Sequence, residues 1–346
     1  MWSIIAVATI VASGLAVGYF LFALGSASAS SLEKNIEIRK GDSFSQIALR
    51  LKDAGLVKSE GAFKIYSILS GSAHLFKPGM YGLNAASSTS EIVNELIDGS
   101  GTEVEILIPE GLSLRDIDYK LSSQGILPRG VLESFDINKI KNDYEFLSFD
   151  GATDGKNQLE GYLFPDTYRF FKNSEPETVV RKFLDNFKEK IWPLVKDKKA
   201  VAAKTGLTAK ELLIVASIIE REVPDVPASS DRFVIAGILY KRLRLGMPLQ
   251  VDATVSYAKC SGLLLSCDKP IISKKDLSLQ SPYNTYLYNG LPPTPIASPG
   301  VDAVKAALVP KNSDFMYYLS DPKTQKTIFA KTLDEHNQNR VKYLNI

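Results

Sequence analysis

Histidine, cysteine and tryptophan each occur only twice in 346 residues, and methionine four times. His74 and His336 lie far from each other and from Cys260 and Cys267, so no four-ligand zinc spacing exists. A nucleophilic triad lacks its base for the same reason, and neither a G-x-S-x-G elbow nor a Walker-type phosphate loop occurs. An excess of one charge is missing too: 41 Lys and Arg against 39 Asp and Glu leave a formal +2, which is no footprint for nucleic acid. Composition thus implies no metal, no cofactor and no nucleic-acid partner.

What is present is an ordinary globular balance, 45% hydrophobic and 23% charged, in a chain long enough for two domains of about 150 residues. One segment departs from it. From Ile4 to Leu24 there is no charge and almost nothing polar, a length that spans a bilayer core of about 30 Å as a helix. The run predicts a transmembrane anchor over residues 1–25, with 4–24 in the membrane. A cleavable signal peptide is the alternative; Ala27-Ser28-Ala29 suits it, whereas the long apolar run and the uncharged front do not. Either reading delivers the remainder across a membrane. Lys34, Arg39 and Lys40 behind the run oppose that orientation under the positive-inside bias, which long domains largely escape. Outside the cytoplasm, Cys260 and Cys267, flanking Ser-Gly-Leu-Leu-Leu-Ser, favour a disulfide over two free thiols.

Residues 26–34 read as a small-residue linker. Residues 35–104 read as a small α/β module: a strand at Ile36–Ile38, an amphipathic helix carrying Ile47, Ala48, Leu51 and Leu56, a second helix from Gly61 to Leu69, a Pro78-Gly79 turn, and a third helix closed by Gly99. Residues 105–346 read as a larger mixed domain, so the fold class is α+β. It opens with a strand ending at Ile108-Pro109 and a helix from Ser113. "LEGYLFPDTYRF" reads as a loop; helices follow at 176–195, 208–222 and 231–245. A stretch rich in Pro, Gly, Ser, Tyr and Asn runs to Gly300, before a helix at 303–308 and a strand pair near 315–319 and 327–329. No internal repeat is evident.

"LLIVASIIEREVPDV" ends an aliphatic helix in two carboxylates. Thr208-Ala209-Lys210-Glu211 is a capping box that sets its start, and its apolar residues cover nearly every side, as in a buried helix. Glu220 and Glu222 project about 200° apart, so they cannot serve one site. A carboxyl among aliphatic neighbours stays protonated and can act as a general acid; the plain alternative is a pair of helix-end charges matched by Arg221, Arg232 or Arg242. "GMPLQVDATVSYA" sets Gln250, Asp252 and Thr254 at strand spacing on one face, either toward a cleft or toward water. Tyr283, Asn284, Tyr286 and Tyr288 stand in a proline-stiffened loop, suited to sugars or simply rigid.

Taken together, "LEGYLFPDTY", "ASIIERE", "LYKRLRLGMPLQVDATVSYA", "YNTYLYNGLPP", "IASPG" and "FAKTLDEHN" resemble, in order, the YceG-like or MltG-type endolytic murein transglycosylases. The resemblance covers residue 36 to the end. It departs at Lys241, where Asn is usual, at Val251 and Ala253, and at Thr327. It implies a LysM-like module at 35–104, a YceG-like catalytic domain at 105–346, and anchoring in a bacterial cytoplasmic (inner) membrane with the catalytic domain outside. Its implied substrate is peptidoglycan, cut without water at the β-1,4 MurNAc–GlcNAc bond to leave 1,6-anhydro ends, with peptidoglycan synthases as partners. The acid/base it points to is Glu220; Gln250, Asp252, Thr254, Tyr283 and Asn284 are candidates for holding sugar, with Glu160 and Tyr168 lining the cleft. The rivals are a hydrolase of the same bond, with Asp166 or Asp252 as second carboxyl, and a non-catalytic peptidoglycan-binding scaffold.

Overall fold

The uncharged opening run forms α1 (Trp2–Leu24), with Ile5, Ile10, Leu15 and Phe22 more than half exposed. This computed structural model describes residues 2–28, 33–99, 103–147, 158–223, 230–268, 272–324 and 326–344, so residues 29–32 of the expected linker lie outside it. Among the described residues no helix is long and apolar enough to cross a membrane.

β1 (Glu33–Ile38), α2 (Phe44–Asp53), α3 (Glu60–Leu69), β2 (Gly79–Asn84) and α4 (Thr89–Asp98) follow. β1 and β2 pair antiparallel with Ile36 opposite Tyr81, and strand alternation turns Ile36 and Ile38 inward. Ser43 with Gln46 and Ser88 with Glu91 form capping boxes that start α2 and α4. Those helices bring Ile47, Leu51, Ile92 and Leu96 onto Phe63, Tyr81 and Leu83 in one core.

The chain continues through β3 (Glu103–Ile108), α5 (Leu114–Ser123), three short 3₁₀ turns, β4 (Asp166–Phe171), α6 (Pro176–Lys190), α7 (Trp192–Val195), α8 (Lys198–Thr205), α9 (Ala209–Glu222), α10 (Ser230–Arg244), α11 (Asp252–Lys259), α12 (Val301–Leu308), β5 (Tyr317–Ser320), β6 (Thr327–Ala330) and α13 (Leu333–Asn339). Among the described residues three two-stranded sheets result, β1-β2, β3-β4 and β5-β6; the fold is mixed α+β. Its backbone divides into two units: Met1–Ile106 with Gln124–Pro128 and Arg169–Glu175, and Leu107–Ser123 with Arg129–Tyr168 and Pro176–Ile346. In the second unit α9 is buried from Leu212 to Glu220 and packs against α10, α11 and α12.

Three sequence expectations change. The run from Gln250 to Thr254 is a turn and a helix, not a strand: Gln250 adopts φ +53°, and Thr285 takes the N–H groups of Gln250 and Val251 through its carbonyl and hydroxyl. These bonds end the extended run, and α11 starts at Asp252. The "LEGYLFPDTYRF" loop becomes β4 from Asp166 onward.

An internal repeat also exists. Ile36, Ile38, Gly41, Ser43, Ile47, Leu51 and Gly55 recur 70 residues later as Ile106, Ile108, Gly111, Ser113, Ile117, Leu121 and Gly125. Both stretches form strand, turn and helix. The paired glycines share positive φ, +96° and +80° at the turns and +65° and +69° after the helices. Ser113 and Asp116 bond reciprocally as Ser43 and Gln46 do. Further on, Pro78 and Tyr81 recur 87 residues later as Pro165 and Tyr168, and each tyrosine hydroxyl donates to the carbonyl four residues before it. The repeat escapes a linear reading because its halves recur at different spacings.

Candidate active site

Both glutamates sit in the last turn of α9, about 200° apart by helical geometry. Glu220 is buried. Its Oε1 accepts from Arg232 Nη2 at 3.0 Å, with both side chains at or below 6% exposure, and its Oε2 accepts the Gly300 N–H at 2.9 Å. Arg232 also donates to the Val223 carbonyl at 3.3 Å. Glu220 thus has both carboxylate oxygens engaged inside the protein. Its work is to tie α9 to α10 and to the first turn of α12.

Glu222 faces a different environment and stays partly exposed. Burial is the main influence on it and pushes its carboxyl up to about 7; the nearby Asp252 charge adds to this, while hydrogen bonds from the Tyr318 hydroxyl and the Ala253 N–H, and the Arg221 charge, act against it. Asp252 is exposed and accepts the Tyr286 hydroxyl at 2.5 Å. Arg242 braces the wall: Nε donates to the Met316 carbonyl at 3.0 Å, Nη1 to the Leu249 carbonyl at 2.7 Å, and its guanidinium lies 5.1 Å from the Tyr317 ring centroid. Thus the end of α9, the start of α11, β5 and the tyrosine loop converge. A carboxyl titrating near neutrality with an accessible edge can both give and take a proton.

Of the residues expected to hold sugar, the structure brings Asp252 beside Glu222, and Gln250 is exposed two residues earlier. The others have interior tasks. The Thr254 hydroxyl bonds the Val251 carbonyl and Thr285. Asn284, fully buried, donates to the Leu277 and Leu279 carbonyls and accepts the Tyr286 N–H. Tyr168 is buried, bonded to the Phe164 carbonyl and Asn186. Glu160 accepts the Leu114 N–H and the Tyr257 hydroxyl, and the Tyr257 ring packs tilted, centroids 4.8 Å apart, against Tyr283, which bonds Thr294. Those two candidates thus meet in one hydrogen-bonded network, with Glu160 buried and Tyr283 half-buried. Asp166 accepts from Asn186 in the same unit. Sequence reasoning did not single out Tyr318, which acts on Glu222; the Arg232 pairing it weighed for the helix-end charges is the one Glu220 makes. The cysteines are joined, closing the 260–267 loop.

Such a site defines a class: a mixed α+β protein with a near-neutral carboxyl at a helix end, set among Asp252, Tyr318 and Arg221. The chain belongs to the YceG-like family, whose pattern matches residues 36–342. It is 35% identical over 323 residues, 90% of this chain and 84% of the relative, to a Bacillus subtilis (strain 168) protein named endolytic murein transglycosylase. A Streptococcus pneumoniae (D39) protein of the same name is 29% identical over 330 residues, 90% of this chain; the chain spans 58% of that relative's length. The crystal structure of a yceG-like protein from Listeria monocytogenes matches with TM-score 0.56 and 30% identity, over 90% of this chain and 100% of that one.

Proposed function

We propose that this chain is an endolytic murein transglycosylase and that Glu222 is its acid/base. The relatives' shared name supports the activity, and the setting of Glu222 carries the assignment. Protonated Glu222 gives its proton to the glycosidic oxygen leaving the muramyl C1. As carboxylate it then takes the proton of the muramyl C6 hydroxyl, whose oxygen closes on C1 to form the 1,6-anhydro ring. One carboxyl in both steps follows from reversibility of proton transfer. The Asp252 carboxylate next to it favours positive charge developing at C1. Glu220, the residue the resemblance indicates, serves here as the buried anchor of α9.

The apolar α1 and the 260–267 disulfide support anchoring in the cytoplasmic membrane with the catalytic domain outside, since disulfides persist in oxidising compartments. The β-α-α-β order of β1 to β2 supports a LysM-like module at 35–104 that holds glycan. An anchored enzyme reaches only strands close to the membrane, where synthases work, and tethering raises its effective concentration there.

The test is mass spectrometry of peptidoglycan digested by wild type, Glu222→Gln and Glu220→Gln, with melting curves for each. Anhydro-muramic ends from wild type, lost in a well-folded Glu222→Gln, are the expected result. A free reducing muramic acid would make the enzyme a hydrolase with Asp252 as partner. Turnover by Glu222→Gln would return the acid to Glu220, and no product from wild type would leave a binding scaffold.

A further inference from the structure

The two copies of the repeat put their first turns to different uses. In the first copy Arg39, Lys40 and Gly41 are exposed, and a side chain added at Gly41 would meet nothing within 4 Å. In the second copy Gly111 and Leu112 are buried and paired to the segment before α12: Gly111 donates to the Ser298 carbonyl at 3.0 Å, and Ser298 donates back to Leu112 at 2.7 Å. The Gly111 carbonyl then accepts Arg221 Nη1 at 3.1 Å. A β-carbon on Gly111 would lie 3.7 Å from Arg221 Cδ and 3.8 Å from Glu220 Cγ.

We infer that the second copy's turn has become the seat of α9's last turn, and that Arg221 is a positioning residue that holds Glu222 on its proton-transfer line. The inference rests on Glu222 as the acid/base. α9 ends at Val223 in a non-helical conformation without a left-handed glycine cap, and a helix end lacking such a cap is free to fray. Arg221 lies between the two carboxylates in that turn. Glu220 fixes the turn on one side through Arg232, and Arg221 fixes it against the Gly111 carbonyl. With both held, Glu222 meets Tyr318 and the Ala253 N–H.

Arg221→Met keeps the stem and removes the charge and the donors. Groups acting on Glu222 are Tyr318 from β5, Asp252 and the Ala253 N–H from α11, and Arg221 itself, with Tyr286 and Arg242 next to Asp252 and Tyr318. Loss of Arg221 therefore removes an influence that lowers the Glu222 carboxyl. In the full-length enzyme on purified glycan, Arg221→Met lowers kcat by about 10- to 100-fold with KM nearly unchanged, and the alkaline limb of the pH profile moves upward. Arg221→Lys restores the limb and part of kcat. Wild-type kcat and pH profile in Arg221→Met, with Glu222→Gln inactive, would overturn the positioning role alone; an active Glu222→Gln would overturn the acid assignment beneath it. Should Arg221→Met fail to fold, Gly111→Ala decides, with Gly41→Ala reporting on melting what left-handed strain does in open space. A kcat loss in Gly111→Ala beyond that of its melting shift supports the seat, and an unchanged kcat rejects it.

Discussion

Glu160 accepts the Leu114 N–H at 2.9 Å and the Tyr257 hydroxyl at 2.8 Å, and burial pushes its carboxyl up to about 8. Its unfolded value is near 4.5, so below pH 4.5 both states hold the proton and the stability it contributes is complete. As pH rises toward 8 the unfolded chain ionises while the folded one does not, and that stability drains away, by roughly 5 kcal/mol at 1.36 kcal/mol per unit. Urea unfolding at pH 5 and pH 8 should show this slope in wild type and its loss in Glu160→Gln. Glu222 has the same sign with a catalytic reading: the acid form is present below about 7, so kcat/KM falls above that pH. Tyr318→Phe removes a hydrogen bond that lowers this carboxyl, and the alkaline limb should move upward; an unmoved limb would separate Tyr318 from the acid. Glu220→Gln strands Arg232 in the interior, which costs about 3–5 kcal/mol for a broken buried pair, read as an early denaturation midpoint.

Among the elements, the disulfide loop and α10 make separable predictions. The 260–267 loop is fastened to α5: Ser113 donates to the Gly262 carbonyl, Arg115 to Ser261 at 2.8 Å, and Leu265 donates to Asp116 at 2.8 Å. Closing so short a loop contributes about 2–3 kcal/mol in the chain-entropy picture, and Cys260→Ser with Cys267→Ser should lose about that amount by denaturant titration. On α10, Gly237 passes so close to the chain at Lys311 that an added β-carbon would lie 2.0 Å from its carbonyl oxygen. The Lys311 N–H is itself bonded to Phe233 at 2.9 Å, so this backbone cannot retreat freely. Gly237→Ala should destabilise by about 1–3 kcal/mol, the range for an overpacked core. Elements with local signals were legible: the capping box at Thr208 marks a helix start that the structure places at that residue. The start of α11 was not, because three alternating polar residues suit a strand until Thr285, 34 residues away from Val251, takes the backbone donors.

At the scale of the whole molecule, release of the catalytic unit from α1 tests what tethering contributes. If anchoring matters, a chain lacking residues 1–25 should cut purified glycan at the full-length rate yet restore strand length poorly in cells. Family, α+β class and the order of most elements could be read from the chain, because periodicity, caps and ordered motifs are local and survive without coordinates. The motif "ASIIERE" was legible as the end of a buried helix as well, down to the turn that carries both carboxylates. What each of its carboxylates meets was decided only in three dimensions: Arg232 lies 12 residues on from Glu220 and Gly300 80 residues on, while Tyr318 reaches Glu222 from β5. The same holds for the repeat, whose second turn differs from its first by what packs on it. A residue's chemistry is written in the sequence; its protonation is set by neighbours that folding brings, since burial and charge act through space and not along the chain.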